Sequence, residues 1–191
     1  MRKVVRVTWP GIFLLLFGCI PSLHPLYTEE DLIFDPALVG IWANEDSGES
    51  WTFTKTSEKE YKTVYIDNSK AKGEFSGHLV KSGDCIFLDL YPSKPELDEN
   101  DFYKIHLIPV HTFLLVRQVE PKLQMAILKP DALKKVLTAN PDAIKHEKVE
   151  DGVLLTAQPK ELQAFLVNLA KTAENWEDMD FLPRKVLETT E

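Results

Sequence analysis

The chain has 191 residues, of which 44% are hydrophobic and 10% aromatic. That length and composition suit one folded domain and exclude a mostly disordered chain. Its 22 basic and 30 acidic residues give a formal net charge of −8. This balance argues against a basic face for nucleic acid or anionic lipid headgroups, so no nucleic-acid partner is expected.

An export signal is predicted at the N-terminus. Three basic residues, Arg2, Lys3 and Arg6, precede an apolar run at 11–17, which is too short to cross a bilayer because about 20 apolar residues are needed. The run ends in Leu16-Phe17-Gly18-Cys19, which resembles the lipobox of bacterial lipoproteins. The resemblance implies a signal peptide at 1–18 and an acylated Cys19 as the first residue of the mature protein. The alternatives are an ordinary signal peptide cut elsewhere and an uncleaved anchor.

The lipobox resemblance also implies a location. Acyl chains such as palmitate on Cys19 would hold the protein on a membrane without a spanning helix. Ile20 stands where, in enterobacterial lipoproteins, an aspartate signals retention in the inner membrane. We therefore expect an exported protein anchored to the bacterial cell envelope, preferably to an outer membrane and facing the periplasm. Without Arg2, Lys3 and Arg6 the net charge becomes −11.

The second cysteine, Cys85, is interpreted as structural. If Cys19 is acylated, Cys85 has no cysteine partner left in the chain, so no disulfide is expected within the mature protein. Cys85 lies in a strand-like apolar run without a flanking basic residue to lower its pKa. It is therefore read as a small buried hydrophobic residue rather than a nucleophile or redox sensor.

Beyond the signal, the chain divides into four further segments. Residues 19–37 are predicted to be a tether and lead-in, and residues 38–128 an antiparallel β domain. Within that domain, period-two alternation and polar turns predict strands near 40–44, 51–54, 61–66, 74–80, 85–91, 103–107, 111–119 and 123–127. Residues 129–175 are predicted to form helix, strand and helix packed on the sheet, with helices beginning at Pro130 and Pro159. Residues 176–191 are predicted to be a flexible polar tail.

This order of elements predicts an α+β fold, in which a mostly antiparallel sheet or a calycin-like, partly closed barrel is followed by two C-terminal helices. The pair Gly40-x-Trp42 at the start of the first strand resembles the Gly-x-Trp signature of lipocalins and other calycin barrels. The resemblance implies that Trp42 plugs the closed end of the barrel and that an arginine from a late strand packs across its ring. Arg117 is the candidate arginine, and a binding site would lie at the opposite, open end.

Residues with metal or catalytic chemistry are present but lack the spacing that such sites require. His78, His106 and His111 fall on three predicted strands, whereas His24 and His146 lie elsewhere; solvated or rim histidines are expected rather than a metal site. Ser76, Ser82 and Ser93 lack a nucleophile elbow, and Asp98, Glu99 and Asp101 are interpreted as a solvated loop. No metal, no cofactor and no enzymatic activity are expected.

Aromatic residues leave two interpretations open, the lining of a ligand cavity and the filling of a core. The rings concerned are Trp51, Phe53, Tyr61, Tyr65, Phe75, Phe87, Tyr91, Phe102 and Tyr103. The first functional hypothesis is a non-catalytic envelope lipoprotein that acts through protein contacts in assembly, maintenance or inhibition. The second is a lipocalin-like carrier of a small apolar ligand, and the third is an unrecognised hydrolase. The corresponding partners are the membrane, through Cys19, an envelope protein and a small apolar ligand.

Overall fold

Seven consecutive strands, each antiparallel to the next, form the wall of a barrel. The computed structural model describes residues 19–44, 46–93, 99–150 and 152–185; the predicted signal segment at 1–18 lies outside them. The strands of the wall are β2 (Gly40–Ala43), β3 (Ser50–Lys55), β4 (Tyr61–Ile66), β5 (Lys72–Ser82), β6 (Cys85–Pro92), β7 (Thr112–Gln118) and β8 (Lys122–Leu128). A short strand before them, β1 (Leu32–Ile33), pairs with β5.

The chain between 176 and 185 nearly closes this sheet into a ring. Strand β11 (Trp176–Asp178) and strand β12 (Leu182–Pro183) both pair with β8. The next residue, Arg184, forms an antiparallel bridge with Trp42 of β2, and the Lys185 amide donates to the Ile41 carbonyl at 2.8 Å. The last strand of the wall is thereby joined to the first, and the result is compatible with a calycin-like barrel.

Alternation along the strands separates two cores. One set of side chains fills the barrel interior, and its largest fully buried members are Trp42, Phe53 and Tyr61. The opposite set points outward and would face water without a cover. The outward set includes Val80 on β5 and Phe87 on β6, both fully buried beneath helical side chains. The sheet therefore has apolar side chains on both faces, as expected when a layer packs on each side.

The cover of the outer face comes from the C-terminal elements. Helix α2 (Pro130–Ala139) and helix α3 (Pro159–Ala170) flank a hairpin of β9 (His146–Val149) and β10 (Gly152–Leu155). Leu162, Leu166 and Leu169 of α3 recur at helical spacing and are all buried in the outer core. The predicted α+β class, with a mostly antiparallel, partly closed barrel followed by two helices, is confirmed. No helix in the described ranges is long and apolar enough to span a bilayer.

One predicted strand, at 103–107, is wrong. Residues Asp101–Lys104 form a short helix, α1, and the Asn100 side chain caps it by accepting the Tyr103 amide at 2.9 Å. The alternation of Tyr103, Ile105 and Leu107 resembles a half-buried strand, but all three side chains are exposed. A capping asparagine directly before the segment favours the helical turn over the extended chain.

Within the residues that the structure describes, the predicted tether and the predicted flexible tail are both packed against the rest of the fold. In the region 19–37, Ser22 forms isolated β-bridges with His111 and with Leu155, and the Leu26 side chain is fully buried. In the region 176–185, Trp176 and Leu182 are buried and their strands close the barrel. Both segments look irregular in sequence because their apolar residues follow no sustained helical or strand period. Residues 186–191 lie outside the described part.

Candidate functional site

The closed end of the barrel is built around Trp42. A 3-10 turn, Pro36–Leu38, precedes β2, and its Leu38 carbonyl accepts the Trp42 indole N–H at 2.9 Å. The Arg184 guanidinium carbon lies 5.0 Å from the centroid of the Trp42 ring. The same guanidinium donates to the carbonyls of Ala37 and Val39, the latter at 2.9 Å. Arg184 thus contacts the face of the Trp42 indole. It also donates hydrogen bonds to two backbone carbonyls, one within the 3-10 turn and one directly after it.

Gly40 is required by this arrangement because its φ of +145° is a conformation that residues with a side chain rarely adopt. The Arg184 side chain lies directly against it, at van der Waals distance from the position of a Cβ atom. The Gly-x-Trp pair and the arginine therefore form one structural unit.

The prediction that Arg117 packs across the Trp42 ring is wrong. Arg117 follows Phe113 and Leu115 on the outer face of β7, and its Nε donates to Asp178 on β11 at 3.1 Å. An outward side chain on that strand cannot reach the interior ring of Trp42. The prediction of a flexible tail at 176–191 leaves no such role for Arg184. The available signal is an arginine two residues after the apolar residue Leu182.

The nine aromatic rings singled out in the sequence fall into different environments. Those packed in or against the barrel interior are Trp51, Phe53, Tyr61, Tyr65 and Phe75. The rings of this group pack closely; those of Trp51 and Tyr65 are tilted, with centroids 4.5 Å apart. Phe87 lies in the outer core, Tyr91 lines a cleft outside the barrel, and Phe102 and Tyr103 are exposed. At the level of these rings the interior is filled by side chains.

The cleft outside the barrel is the candidate functional site. It has a volume of about 400 Å³ and lies between the outer face of the sheet and the N-terminal segment. Its walls are formed by Leu23, Pro25, Tyr27, Ser76, His78, Tyr91, Ile108, Pro109 and His111. Two of the three histidines predicted on strands, His78 and His111, are therefore brought together. The third, His106, lies in the turn after α1, with its ring centroid 5.2 Å from that of Phe102.

A buried carboxylate lies behind the cleft and fixes one of the histidines. The Asp89 side chain, on β6, is 1% exposed. Its carboxylate oxygens accept hydrogen bonds from the Leu26 amide and from Nδ1 of His111, both at 2.7 Å. Since Nδ1 of His111 lies against a carboxylate, which can only accept, Nδ1 carries a proton and Nε2 is the ring nitrogen left for another partner. The Tyr91 ring packs against the same imidazole at a tilt of 38°, with ring centroids 4.6 Å apart.

Asp89 was not recognised as important from the sequence. The available signal was a charged residue in the middle of the apolar run 85–91. A carboxylate in a buried strand is costly unless it is hydrogen-bonded, so its presence predicts nearby donors. The sequence could not identify those donors, because Leu26 and His111 are far from Asp89 along the chain.

The second histidine is held in its uncharged form. Burial lowers the pKa of His78, whose ring centroid lies 4.6 Å from that of Tyr27. Burial, together with the charge of Asp89 and other nearby carboxylates, raises the pKa of Tyr27 to about 12. At neutral pH the cleft therefore presents a neutral imidazole and a protonated phenol.

The remaining candidate residues do not add catalytic geometry to this cleft. The Ser76 hydroxyl donates to Oε1 of Glu60 at 2.6 Å, so it is engaged by a carboxylate rather than by an imidazole. Ser82 ends β5, and Ser93 follows β6. Glu99 and Asp101 are exposed near α1, and Asp98 lies outside the described residues.

The other histidines and the cysteines lie apart from the cleft walls. His24 contacts the Gln158 side chain at 3.1 Å, and His146 contacts the Ile144 carbonyl at 2.9 Å. Cys85 is half-buried, and burial raises the pKa of its thiol, whereas Cys19 is exposed. In the part of the chain that the structure describes, no three His, Cys, Asp or Glu side chains converge to hold a metal ion.

Comparison of the chain with protein-family models, with curated proteins and with solved structures finds no match in any of the three.

Proposed function

We propose that this chain is an exported, lipid-anchored protein of the cell envelope that acts without catalysis, by binding a partner protein at the outer cleft. The observation that carries the proposal is the placement of its side chains. Aromatic rings fill the barrel interior, whereas His78, His111 and Tyr91 line a cleft on the outer surface. A site outside the barrel is open to a protein surface, and an occupied interior gives a carrier less room.

The chemistry of the cleft suits a protein contact. Tyrosine is enriched where interfaces are buried, because its ring provides apolar area and its hydroxyl a hydrogen bond. Tyr27 and Tyr91 provide such rings, and Leu23 provides an apolar edge that is 40% exposed. The Asp89–His111 pair holds one imidazole in a fixed orientation, so a partner would find Nε2 already positioned.

The lipid anchor is proposed from the lipobox resemblance and is tested at Cys19. Replacing Cys19→Ser removes the thiol that would be acylated, so the protein should leave the membrane fraction, and the acyl mass should disappear from the intact protein. The matched control is Cys85→Ser, which should remain acylated and membrane-bound. Membrane residence of the Cys19→Ser chain, or an unmodified Cys19 in the native protein, would contradict the anchor.

The partner contact is tested by cross-linked pull-down from envelope extract. The parent chain and the Phe181→Ala control, altered at an exposed ring that is not among the cleft residues, should recover the same partner protein. Tyr91→Ala should recover at least about tenfold less, as expected for an aromatic residue central to an interface. Equal recovery by all three chains would place the contact elsewhere on the protein.

A small ligand in the same cleft is the second candidate function. The volume of about 400 Å³ falls within the range of small-molecule sites, and the lining combines apolar residues with a few polar groups. In this second candidate function the ligand would bind on the outer face of the barrel rather than in its interior. Native mass spectrometry of the protein purified from the envelope distinguishes the two, because a carrier should retain a bound mass that Tyr91→Ala loses.

A further inference from the structure

An exposed apolar surface lies beside the cleft. Five large hydrophobic side chains within seven residues are exposed, at fractions between 45% and 75%: Phe102, Tyr103, Ile105, Leu107 and Ile108. We call this surface the 102–108 patch. Among the described residues only two other large hydrophobic side chains are this exposed, namely Val149 and Phe181. Such a concentration of apolar side chains marks a surface that is covered in use.

Four amides of the 102–108 patch are hydrogen-bonded within the same stretch of chain. The amides of Lys104 and Ile105 donate to the carbonyls of Asn100 and Asp101, and the amides of His106 and Leu107 donate to those of Tyr103 and Lys104. If this turn enters an apolar medium, these four amides stay paired, which lowers the cost that a lipid environment imposes on a backbone.

The 102–108 patch and Cys19 lie at the same end of the barrel. Cys19 lines a small pocket with Thr112, Leu128 and Trp176, which are the first residue of β7, the last of β8 and the first of β11. The patch leads into the start of β7 through His111, and the amides of His111 and Ser22 each donate to the other residue's carbonyl. A membrane placed against this end of the barrel would meet both features.

We propose that the 102–108 patch inserts into the lipid surface to which Cys19 is tied, as a second attachment point that fixes the orientation of the barrel. The inference rests on the proposed acylation of Cys19. Insertion would be hydrophobic rather than electrostatic, because Lys104 is the only Lys or Arg from 101 to 108 and it is offset by Asp101. The surface therefore fits zwitterionic lipid and does not require anionic headgroups.

Fluorescence quenching by lipids with brominated acyl chains tests this insertion. The full acylated chain carrying F102W is reconstituted in phosphatidylcholine vesicles, and its emission is compared with that of the parent to correct for the native tryptophans. We expect the added emission of F102W to be quenched at least about twofold. The control F181W, at a ring that is 51% exposed outside the patch, should be unquenched. In F102W/I105S/I108S, where two neighbouring anchors are removed, the quenching should be lost.

The outcomes separate this inference from the anchor. An acylated Cys19 by intact mass, with F102W unquenched, would overturn the insertion while leaving the anchor in place, and would assign the patch to a protein partner. Equal quenching at positions 102 and 181 would also overturn it, since no surface would then be preferred. An unmodified Cys19 would remove the anchor and, with it, this placement of the patch.

Discussion

At the scale of single residues, Asp89 links three parts of the molecule. Its carboxylate lies in β6, accepts the amide of Leu26 from the N-terminal segment, and orients His111 at the entry to β7. The carboxylate thereby holds the N-terminal segment against the outer face of the barrel, and it also shapes the cleft. A structural role and a binding role therefore depend on the same atoms.

Replacing Asp89→Ala should destabilise the fold by about 2–4 kcal/mol, because it leaves two buried donors without an acceptor. The measurement is the free energy of unfolding in urea. Asp46→Ala, at an exposed turn position, is the control and should change that value by less than about 0.5 kcal/mol. Equal effects of the two substitutions would show that the Asp89 hydrogen bonds are not structurally important.

A second prediction compares two arginines. Arg184→Gln removes the guanidinium from the Trp42 ring and from the carbonyls of Ala37 and Val39, and should cost about 1–3 kcal/mol of unfolding free energy. Arg117→Gln removes only an ion pair at the surface with Asp178, and should cost less than about 1 kcal/mol. If Arg117→Gln lowered the free energy of unfolding in urea more than Arg184→Gln did, the role given to Arg184 at the closed end would be contradicted.

At the scale of elements, the N-terminal segment is fastened to helix α3. Asp31, directly before β1, accepts hydrogen bonds from Lys160 at 2.7 Å and Gln163 at 2.8 Å on that helix. The buried amide of Gln163 also donates to the Leu26 carbonyl at 2.8 Å. Burial alone would raise the pKa of Asp31, but the hydrogen bonds from Lys160, Thr28 and Gln163 lower it.

This fastening should depend on pH. Since the pKa of Asp31 is lower in the folded chain than in the unfolded chain, its contribution is complete above the unfolded value of about 4 and is lost as the pH falls through the folded value. Asp31→Asn should therefore lower the unfolding free energy by about 1–2 kcal/mol at pH 7. The gap between variant and parent should narrow below pH 4; a gap that stays constant with pH would contradict the charged role of Asp31.

The sequence predicted most elements of this fold but not their partners. Strands such as β3 and β6 have a local period and were expected at nearly their observed positions. The error at 103–107 arose because an exposed apolar helical turn and a half-buried strand can show the same alternation. The candidate site was less accessible, since the cleft joins Tyr27, His78 and His111 from three separate segments.

At the scale of the whole molecule, barrel closure depends on very short pairings. Strand β12 has two residues, and the link from β8 to β2 continues through Arg184 and Lys185. Such short strands carry almost no periodic signal, so the sequence could not distinguish a closing strand from a frayed tail. Tertiary contacts, rather than local propensity, determine their conformation.

Ending the chain after Asp180 should open the ring. The truncation removes Leu182, which is 2% exposed inside the barrel, and Arg184 at the closed end. We expect a loss of at least about 3 kcal/mol of unfolding free energy from these two side chains alone. The matched control ends after Lys185 and keeps both side chains; it should unfold like the parent, and a truncation at Asp180 that did so as well would show that closure contributes little.

The position of the closing residues has a consequence for how the molecule is made. Polypeptides leave the ribosome with the N-terminus first, and the pairing that joins β2 to β8 waits for Arg184 to emerge. Until then a nascent chain can pair β2 through β8, and β8 with β11 and β12, but the outer edge of β2 stays unpaired and is a site for mispairing. Closure of the barrel is therefore a late step in biogenesis, and the growing chain is most prone to aggregate just before that step.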